Sequence, residues 1–518
     1  MAPLLDGRRG LLTTVLLATL LGVVGYLAVG DVGLDLADEG FLWYGVQRVV
    51  AGEVPQRDFQ AYDPGRYYWC AAWSSLFGDG ILGVRKSFAI VQVLGLFAGL
   101  SAARRVITRP LPLVLVGLAL LGWMFPRHKL FEPSIAMMCV YAALRLLESP
   151  TRRAYFGAGV LVGAAGLVGR NLALYSGLAT FTIFLYQWLR LREVGPRVFA
   201  SCIGGVVLGY APLLAMLALV PGFAEGFWES LQITLRHGAN LPRPWLWPWR
   251  MSWGGLGPFS LLTQAGVAFH YLLPVLVLPV GCVALLVGSR ERAESRRLLI
   301  ASCVVGAFFV HHAAVRSGIP HLAQAIHPTL LGLFALLAGM RSQPGVARTL
   351  AWGGCAVLII ATLVGISPLV SRMHPEAELE PLVALDVGGE QLRLTASEAE
   401  FLRSVTDVLE REVPAHASLF IAPAAPTLYA VERRRSPTWE IYFFWPNATR
   451  KAQRRLTREL EAQGVEYALV FDYALDNRRD LIFRNSNPLV WRYLTQHFEP
   501  IAIDDLPPGA NLLRRKEQ

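Results

Sequence analysis

The sequence predicts a polytopic α-helical membrane protein of about 11 transmembrane helices, followed by a C-terminal extracytoplasmic α/β domain. Three observations predict it. Of 518 residues, 54% are hydrophobic and only 17% charged, whereas a soluble domain carries about 25% charge. Eleven apolar runs each approach the roughly 20 residues that cross a bilayer. Past residue 370 the pattern changes to short helices alternating with strands. With a mean hydropathy of +0.42, the chain is not a disordered tail, a coiled coil or a simple cytosolic enzyme.

The runs lie near 11–30, 84–103, 110–126, 130–147, 155–169, 172–189, 198–220, 266–288, 298–315, 322–340 and 349–370, the third and fifth being short. The first ends in the small-residue triplet Ala28-Val29-Gly30, which resembles a signal-peptidase site. Its apolar stretch exceeds the roughly 7–15 residues of a signal core, so it reads as a retained helix.

Charge gives the orientation. The net charge of +10 divides unevenly: the first 370 residues hold 29 basic and 16 acidic groups, the remainder 19 and 22. With the N-terminus in the cytoplasm, every second connection is short and basic, carrying Arg8/Arg9, Arg104/Arg105/Arg109, Arg145/Arg152/Arg153, Arg190/Arg192/Arg197, Arg290/Arg292/Arg296/Arg297 and Arg341/Arg348. This is the positive-inside pattern. It explains the positive charge without nucleic acid, and an odd number of spans puts the tail outside. The expected division is a membrane domain, 1–370, with long outer loops at 31–83 and 221–265, and a soluble domain, 371–518. The six cysteines are widely spaced, mostly inside apolar runs, with no metal-ligand spacing.

In the tail, Phe401, Leu402, Val405, Val408 and Leu409 recur at helical spacing within Glu398–Glu412. Segments 418–422 and 467–471 read as buried strands, and 448–463 and 488–498 as helices. No glycine-rich phosphate loop opens either helix. Asn447-Ala448-Thr449 is a glycosylation sequon on the outer side, a short match common by chance.

The polar residues with no topological reason lie at the outer ends of spans: Arg85, Lys86, Arg127, His128, Lys129, Arg170, Arg236, His237, Arg316 and His321. An ionisable group near hydrocarbon costs up to about 2.5–3.5 kcal/mol on insertion scales, so several together call for a reason. One is snorkelling to lipid phosphates. The other is convergence on one anionic ligand, with arginine as a planar fork and lysine as a point charge. Asp38 and Glu39 precede the apolar stretch Phe41, Leu42 and Trp43, too short to span, which reads as a helix lying in the membrane interface with Asp38 as its N-cap. An N-cap aspartate needs no chemistry. The same place keeps it ionised beside the positive helix end, where it could serve as a base.

The order Asp38-Glu39-Gly40, Ala51-Gly52-Glu53-Val54-Pro55, Arg57-Asp58-Phe59, Tyr62-Asp63-Pro64, Leu76-Phe77-Gly78, Val84-Arg85 resembles the first outer loop of the GT-C glycosyltransferases, in the branch of protein O-mannosyltransferases and the lipid A aminoarabinose transferase. Asp63-Pro64-Gly65 departs from the double proline common there. Leu428-Tyr429 and Arg434-Arg435-Ser436-Pro437-Thr438 are similar to the extracytoplasmic end of bacterial members. The resemblance implies a hexosyl or pentosyl transfer from a polyprenyl-phosphate sugar donor to a glycan, glycolipid or protein acceptor. It implies Asp38 as catalytic base with Glu39 beside it. It also implies a donor-phosphate cradle of basic residues, for which Lys129, Arg316 and His321, then His128, Arg170 and Arg66, are the candidates. No cofactor is expected; a few relatives hold a divalent metal at the acidic pair, and Asp38/Glu39 leaves that open.

Histidines His311, His312, His321 and His327 do not form a zinc set by spacing, since six residues turn a helix by about 240°. The tryptophans Trp228, Trp245, Trp247, Trp249 and Trp253 read first as an interfacial belt. The expected location is a bacterial cytoplasmic (inner) membrane, N-terminus inside and soluble domain outside. A transporter or lipid flippase is the alternative; it would favour internal repeats and midplane charge, and the sequence has no clear repeat.

Overall fold

The computed structural model describes residues 7–237, 241–287, 293–340, 344–444 and 448–517. Arg290, Arg292 and Arg341 of the basic loops and Asn447 of the sequon lie outside the described residues, as do the side chains of Arg8, Arg236 and His237.

Every one of the eleven apolar runs is helical. Among the described residues, eight helices are long and apolar enough to cross a membrane: Arg9–Val29, Ile81–Ala103, Arg127–Glu148, Arg170–Leu191, Pro196–Leu219, Pro258–Val287, Glu294–Val315 and Gly345–Ile366. A ninth is broken, Ile319–Ala325 meeting His327–Gly339 at 62°. The break falls where Pro328, at the start of the second piece, has no N–H to continue the ladder. The two runs expected to be short are the helices Pro110–Gly122 and Arg152–Val168.

Contacts divide the chain into two compact units. The first comprises 1–30, 85–219 and 239–379; the second comprises 31–84, 220–238 and 380–518. The first outer segment therefore folds with the tail, and the second is shared, 220–238 going with the tail and 239–265 with the membrane helices.

In the first unit, Glu294–Val315 packs against Phe131–Glu148, Arg170–Leu185, Pro258–Val287 and His327–Gly339. The first two of these five have 61% and 72% of their apolar windows buried, against 22% for Pro196–Leu219 and Gly345–Ile366 at the periphery. Helix Arg152–Val168 turns at Gly169 into Arg170–Leu185 and packs face to face with Pro196–Leu219. That pairing is glycine-dependent. A Cβ at Gly159 or Gly163 would strike the carbonyls of Cys202 or Val206, and one at Gly205 or Gly209 those of Phe156 or Val160. Two Gly-x-x-x-Gly faces thus interlock backbone to backbone, the arrangement that gives helices in lipid their dispersion contact.

In the second unit, strands β1 (Leu382–Val387) and β2 (Glu390–Thr395) form an antiparallel hairpin; β3 (Leu419–Ala422), β4 (Tyr467–Phe471), β5 (Phe498–Pro500) and β6 (Ala510–Arg515) form a sheet of order β3-β4-β6-β5. β3 and β4 run parallel; the other pairs are antiparallel. Phe420, Phe443, Leu456, Leu460, Val470, Phe483 and Leu494 fill its core. The helix expected at 398–412 spans Ala396–Glu412. It opens with a capping box in which Thr395 and Glu398 satisfy each other's backbone N–H. Helices Arg450–Ala462 and Pro488–His497 complete the α/β pattern read from the sequence.

The helix Asp38–Val50 departs from expectation. Glu39 to Gln47 are buried without interruption, so protein and not lipid covers its apolar surface. It packs on Gly65–Phe77 and Pro426–Val431. Phe41, Leu42, Trp43, Tyr44 and Val46 cover its whole circumference with apolar surface, which only protein on every side can bury.

Gly205→Leu should separate the interlocked pair and cost about 1–3 kcal/mol through overpacking, whereas Gly204→Leu, whose Cβ would meet nothing within 4 Å, should be tolerated. Thermal midpoints of the two detergent-solubilised variants check this.

Candidate active site

The acidic candidates belong to the second unit. Asp38 is the first residue of its helix and not its cap: position 37 is alanine, without a side-chain bond. The cap is Asp35, whose Oδ1 accepts the N–H groups of both Ala37 and Asp38 at 2.9 Å. Two backbone donors at the start of the helix are thereby satisfied, worth about 1 kcal/mol. Oxygens of Asp35 and Asp38 lie within 4.8 Å of each other. They are the pair in this unit that could share a divalent cation. Glu39 is 3% exposed and its Oε2 accepts the Asp35 N–H at 3.5 Å. It orients the acidic loop from beneath.

Gly40 explains why this helix sits where it does. A Cβ there would strike the Thr427 backbone and hydroxyl, and the Thr427 N–H donates to the Leu36 carbonyl at 3.3 Å. Trp43 Nε1 donates to the Asp79 carbonyl, Gln47 Nε2 to that of Ala430, and Tyr44 Oη accepts the Ser436 N–H. Gln60 pairs with the extended stretch 439–441 through its own N–H and its Oε1.

That stretch brings Tyr442 to the acids. The Tyr442 hydroxyl donates to Asp38 Oδ1 at 3.3 Å. Its ring is edge-on to Phe41 at 5.8 Å and to Phe444 at 4.9 Å, and Phe444 meets Tyr473 at 5.8 Å. Burial first, and the Asp38 carboxylate second, hold the Tyr442 phenol well above the usual tyrosine range, so it is a donor at any physiological pH. Tyr473 is raised for the same reasons, with Asp35 and Asp38 both acting on it. Arg66, 4% exposed, lies over the Tyr62 ring at 5.4 Å, and Tyr62 packs on Phe41 at 4.9 Å. The sequence reading missed Asp35, Tyr442 and Tyr473. The Asp-x-x-Asp spacing at 35 and 38 could have suggested a cap. Tyr473 follows the carboxyl end of β4, the edge where parallel strands place ligand groups.

The other basic candidates belong to the first unit. Arg127, His128 and Lys129 form a single turn before Phe131–Glu148, with His128 buried and Lys129 half-buried. Arg170 opens its helix after Gly169, which offers no side-chain cap. The neighbouring Asn171 reaches His312 Nδ1 at 3.5 Å; His312 Nε2 bonds Gln324 at 2.8 Å, and its ring lies 5.9 Å from that of His321. Asn171, His312, His321 and Gln324 thus gather at one end of the bundle, and Arg170 precedes Asn171 on its helix. Arg316 is bridged to Arg243: Arg243 N donates to the Val315 carbonyl and Ser317 N to that of Arg243. Paired backbones send opposed side chains to one face, so Arg243, absent from the sequence candidates, stands beside Arg316. Two of the unexplained charges have structural work: Arg85 and Arg127 donate to the Gly30 and Val29 carbonyls at 2.9 and 2.8 Å, covering the carbonyl end of the first helix. His311 bonds Tyr175 and His327 the Leu120 carbonyl. Trp247 and Trp249 stack at 4.8 Å, while Trp245 packs on Tyr271.

No family model and no curated protein matches the chain. Solved structures do. ArnT from Cupriavidus metallidurans bound to undecaprenyl phosphate is similar with a TM-score of 0.56 and 16% identity, over 98% of each chain. The same protein in the apo state gives 0.55 and 15%, over 96% of this chain and 97% of that one. The likeness shows that this chain shares the fold of that protein from end to end.

Glu440, two residues before Tyr442, is pushed from 4.5 to about 7 by burial and by Glu459 and Glu229, against the attraction of Arg455. Arg455 itself bonds both Glu229 and Glu459. Because the folded value is raised, the folded state holds this proton more tightly. Its stabilisation is full below about pH 4.5 and lost as pH rises to about 7, by up to about 3 kcal/mol. Glu440→Gln should flatten that part of the pH–stability curve and be more stable than the parent at pH 8, as read from thermal midpoints between pH 5 and 8.

Proposed function

We propose that the chain is an integral-membrane glycosyltransferase of a bacterial cytoplasmic membrane, moving a sugar from a polyprenyl-phosphate donor to an extracytoplasmic lipid, polysaccharide or protein acceptor. The observation that carries the reading is a likeness running end to end, 98% of both chains, to a protein solved with undecaprenyl phosphate. Asp38 is the base. It takes the proton of an acceptor hydroxyl as that oxygen bonds the anomeric carbon, and the bond from that carbon to the phosphate oxygen breaks with inversion. The polyprenyl phosphate leaves as an anion that needs cations and no proton. Lys129, Arg316, His321, His128, Arg170 and Arg66 are the groups assigned to that phosphate, with Glu39 supporting the acidic loop. The place of Asp38 in the first turn of its helix, beside the positive end of the helix dipole, supports its role by keeping the carboxylate ionised.

Purified protein incubated with radiolabelled undecaprenyl- and decaprenyl-phosphate hexoses and pentoses should release free lipid phosphate with one of them. Asp38→Asn should remain folded and lose at least about 100-fold in turnover; wild-type turnover by that variant would remove the base assignment. Lys129→Ala and Arg316→Ala should weaken undecaprenyl phosphate binding about tenfold each. Solute counterflow without chemical change would point to a transporter instead.

A further inference from the structure

We infer that Tyr442, from the C-terminal part of the chain, is a positioning residue for the Asp38 carboxylate. The inference rests on Asp38 being the base, and deepens that reading by giving the tail a part in the chemistry.

The geometry is specific. A phenol whose ring is wedged between Phe41 and Phe444 has little freedom to turn, so its hydroxyl is held at one place. From that place it donates to one oxygen of Asp38. Asp38 stands in the first turn of a helix whose next nine residues are buried, so the other end of the contact is equally constrained. A carboxylate bound at one oxygen by a fixed donor keeps a fixed plane. The carboxylate then meets an incoming hydroxyl at a constant angle, which is where orientation lowers a barrier. Asp35, Tyr62 and Tyr473 of this unit also lie close enough to act on the Tyr442 phenol; Glu39 is engaged with the Asp35 N–H. Tyr442 bonds Asp38 through a side-chain donor.

The phenol exchanges no proton with substrate. Its hydrogen bond favours the ionised carboxylate over the neutral acid, so it keeps the base ready at lower pH while costing some basicity.

The test is Tyr442→Phe, which keeps the ring between Phe41 and Phe444 and removes only the hydroxyl. In the full-length protein, turnover of the undecaprenyl-phosphate hexose or pentose should fall about tenfold. KM for that donor and the Kd for undecaprenyl phosphate should stay within about twofold, and the acid limb of the pH–rate profile should move to higher pH. Unchanged turnover and profile would overturn the inference. So would a loss of turnover accompanied by a raised KM and a lower thermal midpoint with the acid limb in place, the signature of a packing role. Asp38→Asn, measured in parallel, separates the two levels. If it is inactive while Tyr442→Phe behaves as wild type, the base stands and the positioning role falls. If it is active, the base assignment falls by itself.

Discussion

The close approach of Gly40 to Thr427 constrains the second unit more than any other contact. A helix can lie against another backbone only where a side chain is absent, and here the missing Cβ lets Asp38–Val50 sit against Pro426–Val431 while Gly45 does the same against the Tyr67 ring. With those distances set, Trp43, Tyr44 and Gln47 find their backbone partners, and the first turn of the helix has one available position. The acidic loop follows: Asp35 caps, Glu39 holds Asp35 from below, and Asp38 faces Tyr442. The Asp-Glu-Gly triplet has a division of labour in which each residue does a different physical task.

The membrane helices solve a separate problem. Without water between them there is no hydrophobic force to hold neighbours, so contact must come from packing. Glycine faces on Arg152–Val168 and Pro196–Leu219 supply it at the edge of the bundle, and Glu294–Val315 supplies a shared partner in the middle. The outer basic residues then sort by what they touch. Arg85 and Arg127 satisfy the exposed carbonyls at the end of the first helix. Asn171 and His321 gather around His312, and the backbone of Arg316 pairs with that of Arg243. Charge at a helix end is thus two populations, one answering the backbone and one that the proposed function assigns to a phosphate.

The α/β portion braces the acidic loop through ordinary polar chemistry. Arg393 pairs with Asp31 at both oxygens, and its backbone bonds those of Asp31 and Gly33; Arg433 pairs with Asp79, and Glu390 accepts the Leu82 N–H at 2.7 Å. The exposed ion pairs contribute little stability each, whereas the backbone bonds and the Glu390 cap fix where the loop enters and leaves.

The sequence by itself determined the eleven helical runs, the two short ones among them, and the alternation of helices and strands in the tail. These depend on apolar periodicity and length, which are properties of neighbouring residues. It marked Asp38 and the outer cations as exceptional, because a charge beside hydrocarbon is anomalous wherever the chain goes. It placed the cap three residues late and took Asp38–Val50 for a surface helix, because burial on every side is a property of what packs around a helix. Only tertiary structure could decide that Asp35 caps the helix, that the backbone of Arg243 meets that of Arg316, and that a tyrosine 404 positions along the chain donates to Asp38. Such contacts are chosen by the fit of whole surfaces, and no local pattern carries that information.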